Sequence, residues 1–596
     1  MARSTTTTTA LSLLATAAIL GALPAVLAHG GDEGEGMEMP APQEDQKQNS
    51  YPPTYFSHPE HRGVMYAHII IMVLGWVFVL PIAVMFSIAK SRYTLITQFV
   101  FLVTNALGVV LGISYNASTP DLYPNNAHHK IGWVATWMLC AQVVISLIGR
   151  VAGVMSRQAS PLEQHKEERQ AFIPVSTQNM EEHLRGNGTL YHHHKYSYSN
   201  DSGQGTEPGT ESLRSDSLSS GQESPAETSH RRMEYDEEED LEFKDVEMKT
   251  PSSKANSLVA KAAGKISSRA WKFLLLGYNI IDRTSLILGY IALTTGIIAW
   301  ARFFEGHEVF GGLAHWIKGG VFFWLGLFYL GRWAGSFGDL GWAWNVRPKQ
   351  STQKWRPSAE FVEGGLIFFY GSTNIFLEHL GNSGQAFSAQ DLEHVSITVL
   401  FIGGGLLAML VESTRIRELL NMTVTEAADA HPEHTHSEEE REALQAPKVY
   451  EFSINPIPAL VIMLTGIMMS SHTQQSMLSS MVHKQWGNLL SAAAFARAFT
   501  YVLLYLKPPK SIMPSRPPTE LLTSFGLIAG GVIFCASSSD TVSGMVHYDL
   551  DEMFVYTVTM GCVGMLMAWE IVVLALKGWA VRKEKGPSKS AWIAQV

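Results

Sequence analysis

Long, uninterrupted stretches of apolar residues dominate the sequence, and each is about as long as the hydrocarbon core of a bilayer is thick. Examples are HIIIMVLGWVFVLPIAVMFSIA from His68, VSITVLFIGGGLLAML from Val395 and FVYTVTMGCVGMLMAWEIVVLAL from Phe554. About 20 consecutive apolar residues form a helix that crosses a membrane. A soluble globular protein does not need many such stretches, so the sequence predicts an all-α polytopic membrane protein folded as a helical bundle.

The distribution of the apolar residues supports this class. They make up 46% of the 596 residues, yet the mean hydropathy is only +0.06, so apolar stretches must alternate with strongly polar ones. After a first short stretch near the start of the chain, eleven spans follow, at approximately 64–88, 95–115, 130–150, 284–303, 312–332, 360–380, 394–412, 456–471, 487–506, 519–537 and 554–576. Along the chain they are arranged as three spans and then eight.

The polar segments complete the predicted domain organisation. Residues 1–28 have the short apolar core and small-residue end of a cleavable secretory signal, and 29–60 have the composition of a disordered outer tail. Residues 156–265, rich in Ser, Glu and Asp, predict a disordered cytoplasmic linker. This linker separates a three-span domain (61–155) from an eight-span domain (266–581), which a short tail (582–596) follows.

The positions of Lys and Arg give the orientation of the spans. These residues follow every second span, beginning with Lys90 after the first and ending with Arg582 after the last. Because cytoplasmic loops are enriched in them, the odd-numbered spans are predicted to run inward and the C-terminus to be cytoplasmic. The sequon at Asn116 then falls in an outer loop, where glycosylation is expected. This topology fits the secretory pathway or the plasma membrane, with the vacuolar membrane as an alternative.

Composition also excludes several kinds of site and partner. The three cysteines, Cys140, Cys535 and Cys562, lie inside apolar spans, so the chain offers neither a disulfide framework nor a cysteine-based zinc site. The net charge of −10 argues against nucleic acid as a partner. The lipid bilayer is the partner that the sequence predicts.

The first and third spans each carry histidine at the end that is predicted to face outward, His68 in the first and His128 and His129 in the third. Both spans contain further residues typical of one family: Gly75, Trp76 and Pro81 in the first, and Gly132, Trp133 and Gln142 in the third. These features resemble the first and third core helices of the cytochrome b-561 family. The resemblance implies that His68 and His128 bind one b-type haem, with His129 as an alternative to His128.

The physical requirements of such a site are compatible with this topology. Both spans start on the same side of the membrane, so the two imidazoles lie at similar depth inside an apolar bundle. The family's second haem is not implied, because the second span reads Thr97-Gln98 where the family has histidine, and the fourth span has no histidine. The resemblance therefore implies at most one haem near the outer face. For a redox protein of this kind, we expect a metal ion or a small quinol-like donor as the redox partner at that face.

The last eight spans have their histidines at the predicted outer ends. These are His307, His315, His379, His394, His472, His483 and His547. Asp391 stands three residues before His394, so both lie on one face of a helix. Imidazole and carboxylate are ligands of transition metals. The sequence therefore predicts a site for Zn, Cu or Fe formed by His379, Asp391, His394, His472 and His483.

Few ionisable residues are predicted to lie at membrane depth. Arg283, Glu363 and Glu412 are predicted near inner boundaries, and Glu570 is the best candidate for a buried carboxylate. Such groups are costly in a bilayer and usually pair or line a polar route. The sequence shows no ladder of paired acidic and basic residues of the kind found in proton pumps.

The layout as a whole consists of three spans, a polar insert and a larger C-terminal membrane domain. It resembles the fungal YTP-type integral membrane proteins over nearly the whole chain after residue 50. The resemblance implies an architecture but no defined activity. Three functions therefore stay open: a single-haem electron-transfer protein, a transition-metal transport or handling protein, and a structural membrane protein without a cofactor.

Overall fold

The fold is described from a computed structural model. It describes residues 51–159, 268–306, 308–346, 357–377, 389–429, 447, 450, 452–472, 474 and 476–585. The predicted signal peptide, most of the predicted tail and most of the predicted linker lie outside these residues. Within them, all eleven predicted spans form helices, which confirms the all-α fold class.

The helices are numbered in chain order. They are α1 Arg62–Ile88, α2 Thr94–Ser118, α3 Ala127–Ala159, α4 Ser268–Ala301, α5 Glu308–Ala334, α6 Ala359–Leu377, α7 Ala389–Glu412, α8 Thr414–Asp429, α9 Ile457–Ser471, α10 Met477–Leu506, α11 Pro518–Ala536, α12 Ser539–His547 and α13 Glu552–Lys585. In the described part of the chain, nine of them are long and apolar enough to cross a membrane: α1 to α5, α7, α10, α11 and α13.

The two other predicted spans are α6 and α9. With 15 residues, α9 is about 22 Å long, which is shorter than the roughly 30 Å of a hydrocarbon core. Helix α6 begins with Glu360 and Glu363, which lower its apolar character. Many large apolar side chains on the longer helices are exposed, among them Val103 and Phe273. Such exposure is expected of helices that lipid surrounds.

Helix α1 contains one turn of π-helix at Leu74–Val79, shortly before Pro81. A proline lacks the backbone N–H and crowds the carbonyl four residues earlier, here that of Val77. A wider turn relieves this crowding. The carbonyl oxygen of Val77 accepts a hydrogen bond of 2.9 Å from the indole Nε1 of Trp569 on α13. This hydrogen bond therefore connects α13, the last helix described, to α1.

Helix α4 follows the polar insert but packs against the first three spans. The side-chain amide of Gln142 on α3 donates a hydrogen bond of 2.9 Å to Asp282 on α4, and both residues are buried. The ring of Trp76 on α1 lies against Gly289 on α4, where an added Cβ atom would approach it to 2.7 Å. The 3 + 8 arrangement thus describes the order along the chain, while in space α4 completes a four-helix group with α1 to α3.

The later helices pack most closely where glycines face each other. A Cβ atom added at Gly319 of α5 would lie 2.5 Å from the carbonyl oxygen of Gly531 on α11. One added at Gly487 of α10 would be equally close to the carbonyl oxygen of Gly466 on α9. Small residues at such crossings let helix backbones approach. Beside them, Trp486 is fully buried in the largest apolar cluster of these helices.

Two features near the predicted outer ends of the helices differ from the expectation based on sequence. Residues 51–60, predicted to belong to a disordered tail, pack on the helix ends: the backbone N–H of Phe56 donates to the carbonyl of Trp300, and the ring of Tyr51 stacks on His547 at 4.2 Å. The prediction of disorder rested on the mean composition of residues 29–60, which does not reveal contacts made by single aromatic residues. The sequon at Asn116 lies in the last turn of α2 instead of in a loop, with its side chain exposed.

Two helices also extend past the predicted domain ends. Helix α3 continues to Ala159 and α13 to Lys585, because hydropathy marks only the part of a helix that lies in lipid.

Candidate functional site

The structure brings His68 of α1 and His128 of α3 together. Their ring centroids are 6.4 Å apart, and the rings are nearly perpendicular, at 80°. Nδ1 of His68 lies 2.8 Å from the carbonyl oxygen of Gly108, and Nδ1 of His128 lies 3.5 Å from the Thr295 hydroxyl. Because a carbonyl only accepts, Nδ1 of His68 is the donor and Nε2 is left as the acceptor. Metal-bound histidines typically have this arrangement.

Glycines make room for both rings of this pair. A Cβ atom added at Gly112 of α2 would lie 3.0 Å from the His68 ring, and one added at Gly296 of α4 would lie 3.1 Å from the His128 ring. His129, the alternative ligand, is exposed on α3. The geometry therefore favours His128 over His129 as the partner of His68.

Three imidazoles lie around one cavity at the predicted outer ends of the later helices. His483 of α10 is 3% exposed, and its ring centroid lies 6.0 Å from that of His315 on α5. His394 of α7 lines the same cavity. Nδ1 of both His315 and His483 lies 2.8 Å from the carbonyl oxygen four residues earlier in its own helix. In both rings, Nε2 is thereby left as the acceptor.

The predicted five-residue metal site lies only partly in the described part of the chain. His379 is outside it, and so is the side chain of Asp391. Nδ1 of His472 contacts a carboxylate oxygen of Glu393 at 2.7 Å. Over the residues that the structure describes, no three His, Cys, Asp or Glu side chains form a group that could hold a metal ion. The five-ligand site therefore stays a prediction.

The cavity extends from the imidazoles into the helix bundle. Its volume is about 220 Å³, and its walls are formed mainly by apolar side chains of α5, α6, α7, α9 and α10. Tyr329 and Glu363 line it as well. They lie far along α5 and close to the start of α6, at the end that is predicted to face inward. Apolar walls with a few polar groups are typical of sites for small molecules.

Glu363 belongs to a group of five charged side chains, called here the buried charge cluster: Arg332, Glu360, Glu363, Arg497 and Glu520. Each is at most 6% exposed. Arg332 donates to Glu360 at 3.0 Å and to Glu363 at 3.2 Å. Arg497 donates to all three glutamates at 3.4 Å. Removing an ion from water costs several kcal/mol, so buried charges persist only with such extensive pairing.

Aromatic rings enclose the two guanidinium groups. The Cζ atom of Arg497 lies 3.7 Å from the ring centroid of Tyr329, and that of Arg332 lies 4.3 Å from the ring of Trp344. Nε of Arg497 also donates a hydrogen bond of 3.0 Å to the hydroxyl of Tyr501. These cation–π contacts offset part of the desolvation cost. The cluster joins α5, α6, α10 and α11 at one end of the cavity.

Sequence reasoning missed most of this cluster. The sequence placed Glu363 near a membrane boundary and showed no ladder of paired acidic and basic residues of the proton-pump kind. In the structure Glu363 is buried and paired with Arg332 and Arg497. Arg497 lies inside the predicted span 487–506, and an arginine at that depth is the signal that could have revealed the cluster. Arg332 and Glu360 lie at span ends next to a basic loop, where charged residues are ordinary, so the sequence does not single them out.

Comparison with known proteins gives two matching family models and several relatives. The model described as "Protein YTP1-like, C-terminal" matches residues 288–578, and a domain of unknown function (DUF2427) matches residues 49–152. Uncharacterized membrane protein C3B8.06 of Schizosaccharomyces pombe is 33% identical over 523 residues, which are 86% of this chain and 94% of that protein. No solved structure matches the chain.

Two proteins of Saccharomyces cerevisiae are also similar. Uncharacterized membrane protein YCR061W is 40% identical over 310 residues, 50% of this chain and 47% of that protein. Protein YTP1 is 19% identical over 320 residues, 54% of this chain and 58% of that protein. Since one relative aligns over almost its whole length and two family models match, the chain belongs to the fungal YTP1-like family of integral membrane proteins.

Proposed function

We propose that the imidazoles of His68 and His128 would hold one b-type haem, and that the protein would transfer single electrons at the predicted outer side of its membrane. The observation that carries the proposal is the 6.4 Å separation of the two ring centroids. With metal–nitrogen bonds of about 2.0–2.1 Å, two imidazoles on opposite sides of one metal have ring centres roughly 6 Å apart. A haem with two imidazole ligands supplies one-electron transfer.

The surrounding residues support the same assignment. The carbonyl of Gly108 accepts from Nδ1 of His68 and so fixes the ring with Nε2 as the ligating atom. Gly112 and Gly296 leave space where a larger residue would push the imidazoles aside. The helices around the pair are apolar and exclude water, which favours neutral imidazole, the form that binds a metal.

An absorbance spectrum of the full-length protein, purified after expression with added haem, tests this proposal. We expect a Soret band that is lost in His68→Ala and in His128→Ala. His129→Ala is the matched control, because its side chain is adjacent in sequence but exposed, and it should keep the band. Colourless wild-type protein, or a band that survives both ligand substitutions, would exclude the haem.

A second candidate function is transition-metal handling by the outer histidines. It is favoured by the 6.0 Å separation of the His315 and His483 rings and by His394 on the same cavity. Imidazole groups of this kind bind Zn, Cu or Fe. Metal analysis of the purified protein should then show bound metal that is lost in the double variant His315→Ala/His483→Ala.

The control for the metal experiment is His547→Ala, because the ring of His547 stacks on Tyr51 and does not line the cavity. The wider predicted set is tested by changing His379, His394, His472 and His483 together. Stoichiometric metal that survives all these substitutions would reject the assignment. If the protein binds neither haem nor metal, the third alternative, a structural membrane protein without a cofactor, is the one that fits.

A further inference from the structure

The cavity is elongated along the helices that form it. Helix α5 lines it with His315, Phe322 and Tyr329, which are seven residues apart and therefore lie on one face of the helix. At about 1.5 Å per residue, these positions span roughly 21 Å. The cavity therefore joins the imidazoles at the predicted outer end of the bundle to Glu363 of the buried charge cluster, which lies toward the opposite end.

The charges of the cluster do not balance. It contains three carboxyl groups and two guanidinium groups, joined by ion pairs of 3.0 to 3.4 Å. If all five groups are ionised, one negative charge is left in a place that water hardly reaches. An uncompensated buried carboxylate is costly, so a proton or another cation must neutralise it.

Glu363 is the acidic member of the cluster that lines the cavity. It is 6% exposed, and its Oε2 atom accepts no hydrogen bond of ordinary geometry from the residues that the structure describes. The charged and titratable groups around it are Tyr329 and Arg332 from α5, Glu360 from α6, and Arg497 and Tyr501 from α10. Behind them, Glu412 of α7 lies near Glu360, and Glu520 of α11 pairs with Arg497. A ligand in the cavity can therefore reach the carboxyl group of Glu363 and neutralise the excess negative charge of the cluster.

We propose that this cavity binds a small organic cation, a protonated amine with an apolar body, and that the ammonium group replaces the proton that otherwise neutralises Glu363. The proposal goes beyond the haem and metal functions, since it uses neither. The exchange breaks the O–H bond of the carboxyl, releases that proton to solvent and leaves a carboxylate paired with the ammonium. No electrons are transferred.

The walls of the cavity decide the class of ligand. Phe322, Phe401 and Trp486 present apolar and aromatic surface, which suits the body of an organic cation and attracts its charge through the ring faces. A divalent metal ion needs several oxygen or nitrogen ligands in place of its water, and the three imidazoles that could supply them line the opposite end of the cavity from Glu363. Lys318 lines the cavity near the imidazoles, so its charge directs the ammonium toward Glu363.

The test is calorimetric titration of the full-length protein in lipid nanodiscs with two probes of equal length. One probe is 4-phenylbutylamine, which is protonated at neutral pH, and the other is the neutral 4-phenylbutan-1-ol. We expect the amine to bind at least about tenfold more tightly than the alcohol, a difference of roughly 1.4 kcal/mol. Glu363→Gln should abolish this preference and leave the affinity for the alcohol unchanged.

Glu570→Gln is the matched control. Glu570 is a carboxyl of α13 whose Oε2 atom is buried, but it does not line this cavity. This variant should keep the preference for the amine. Equal binding of amine and alcohol by the wild type, or equal loss of the preference in both variants, would overturn the proposal.

A measurement on the wild type alone covers the case in which Glu363→Gln does not fold. Protons compete with the amine for Glu363, so the affinity for the amine should fall as the pH is lowered from about 8 to about 5, while that for the alcohol stays constant. At the low end of this range, titrations in buffers of different ionisation enthalpy should show proton release on amine binding. An affinity for the amine that does not change with pH, or binding without proton release, would contradict the exchange.

Discussion

The indole Nε1 of Trp569 donates a hydrogen bond of 2.9 Å to the carbonyl oxygen of Val77, the group that Pro81 deprives of its partner within α1. We expect Trp569→Phe to destabilise the protein by about 1 kcal/mol, the usual cost of losing one hydrogen bond, because this bond is only partly buried. The phenylalanine ring keeps the packing against Phe78. The measurement is the thermal midpoint of the detergent-solubilised protein, which should fall.

A double-mutant cycle tests this explanation. In Pro81→Ala the new backbone N–H can bond to the Val77 carbonyl within the helix, so Trp569→Phe should cost less in this background than in the wild type. An equal cost in both backgrounds would show that Trp569 acts only through packing.

Arg497 is expected to be the most sensitive residue of the buried charge cluster. Arg497→Met leaves Glu360, Glu363 and Glu520 with one guanidinium group, and breaking such a buried network costs about 3–5 kcal/mol. Arg497→Lys should also destabilise, because lysine cannot donate to all three carboxylates while it stacks on Tyr329. Thermal midpoints and the yield of folded protein measure the effect.

Arg417→Met is the control for the Arg497 variants. Arg417 also lies over an aromatic ring, that of Tyr450 at 5.2 Å, but outside the cluster and near solvent. We expect this change to cost about 1 kcal/mol or less, as is usual for exposed cation–π contacts. A loss of stability as large as that of Arg497→Met would argue against burial as the cause.

The crossing of α5 and α11 should not tolerate a larger residue at Gly319. A methyl group there would lie 2.5 Å from the carbonyl oxygen of Gly531, so Gly319→Ala is expected to lower the thermal midpoint and the yield. Gly561 of α13 has no neighbouring atom within 4 Å of such a methyl group. Gly561→Ala should be neutral or stabilise by up to about 1 kcal/mol through helix propensity. Similar losses in both variants would contradict this account.

The positions of the helices were predictable from the sequence, whereas the contacts between them were not. In lipid each helix must satisfy its backbone groups by itself, so local hydropathy suffices to find it. Which side chains meet depends on how helices rotate and cross. The spacing of Asp391 from His394 singled out Asp391 as a ligand, whereas no sequence pattern singled out Glu393, whose carboxylate contacts His472. His315 was not chosen from the seven outer histidines, although it is the neighbour of His483.

The loop that carries α12 should make stability depend on pH. Partial burial raises the pKa of Asp540; a hydrogen bond from the backbone of Phe304 opposes this, and the nearby Glu308 and Glu305 add to it. The folded-state pKa of Asp540 lies above the unfolded value of about 3.9. The protonated carboxyl therefore makes its full contribution to the stability of the protein below that pH. It is lost as the pH rises through the raised pKa.

Asp540→Asn tests this dependence. The amide oxygen of asparagine can still accept from the backbone of Phe304, but the residue carries no charge at any pH. The thermal midpoint of the variant minus that of the wild type should rise as the pH increases from about 4 to about 7. Parallel curves for the two proteins would rule out Asp540 as the titrating group.

The contacts of α4 and α13 with the first three spans have a consequence for fragments of the chain. Val77 with Trp569 joins the two regions that the family models match separately, and Gln142 with Asp282 joins the first region to the part of α4 that precedes the second. Neither region should therefore be soluble and monodisperse when it is produced alone. Two polypeptides divided between residues 160 and 267 but synthesised in the same cell should instead reassemble and co-purify, held by interhelical contacts without a covalent connection.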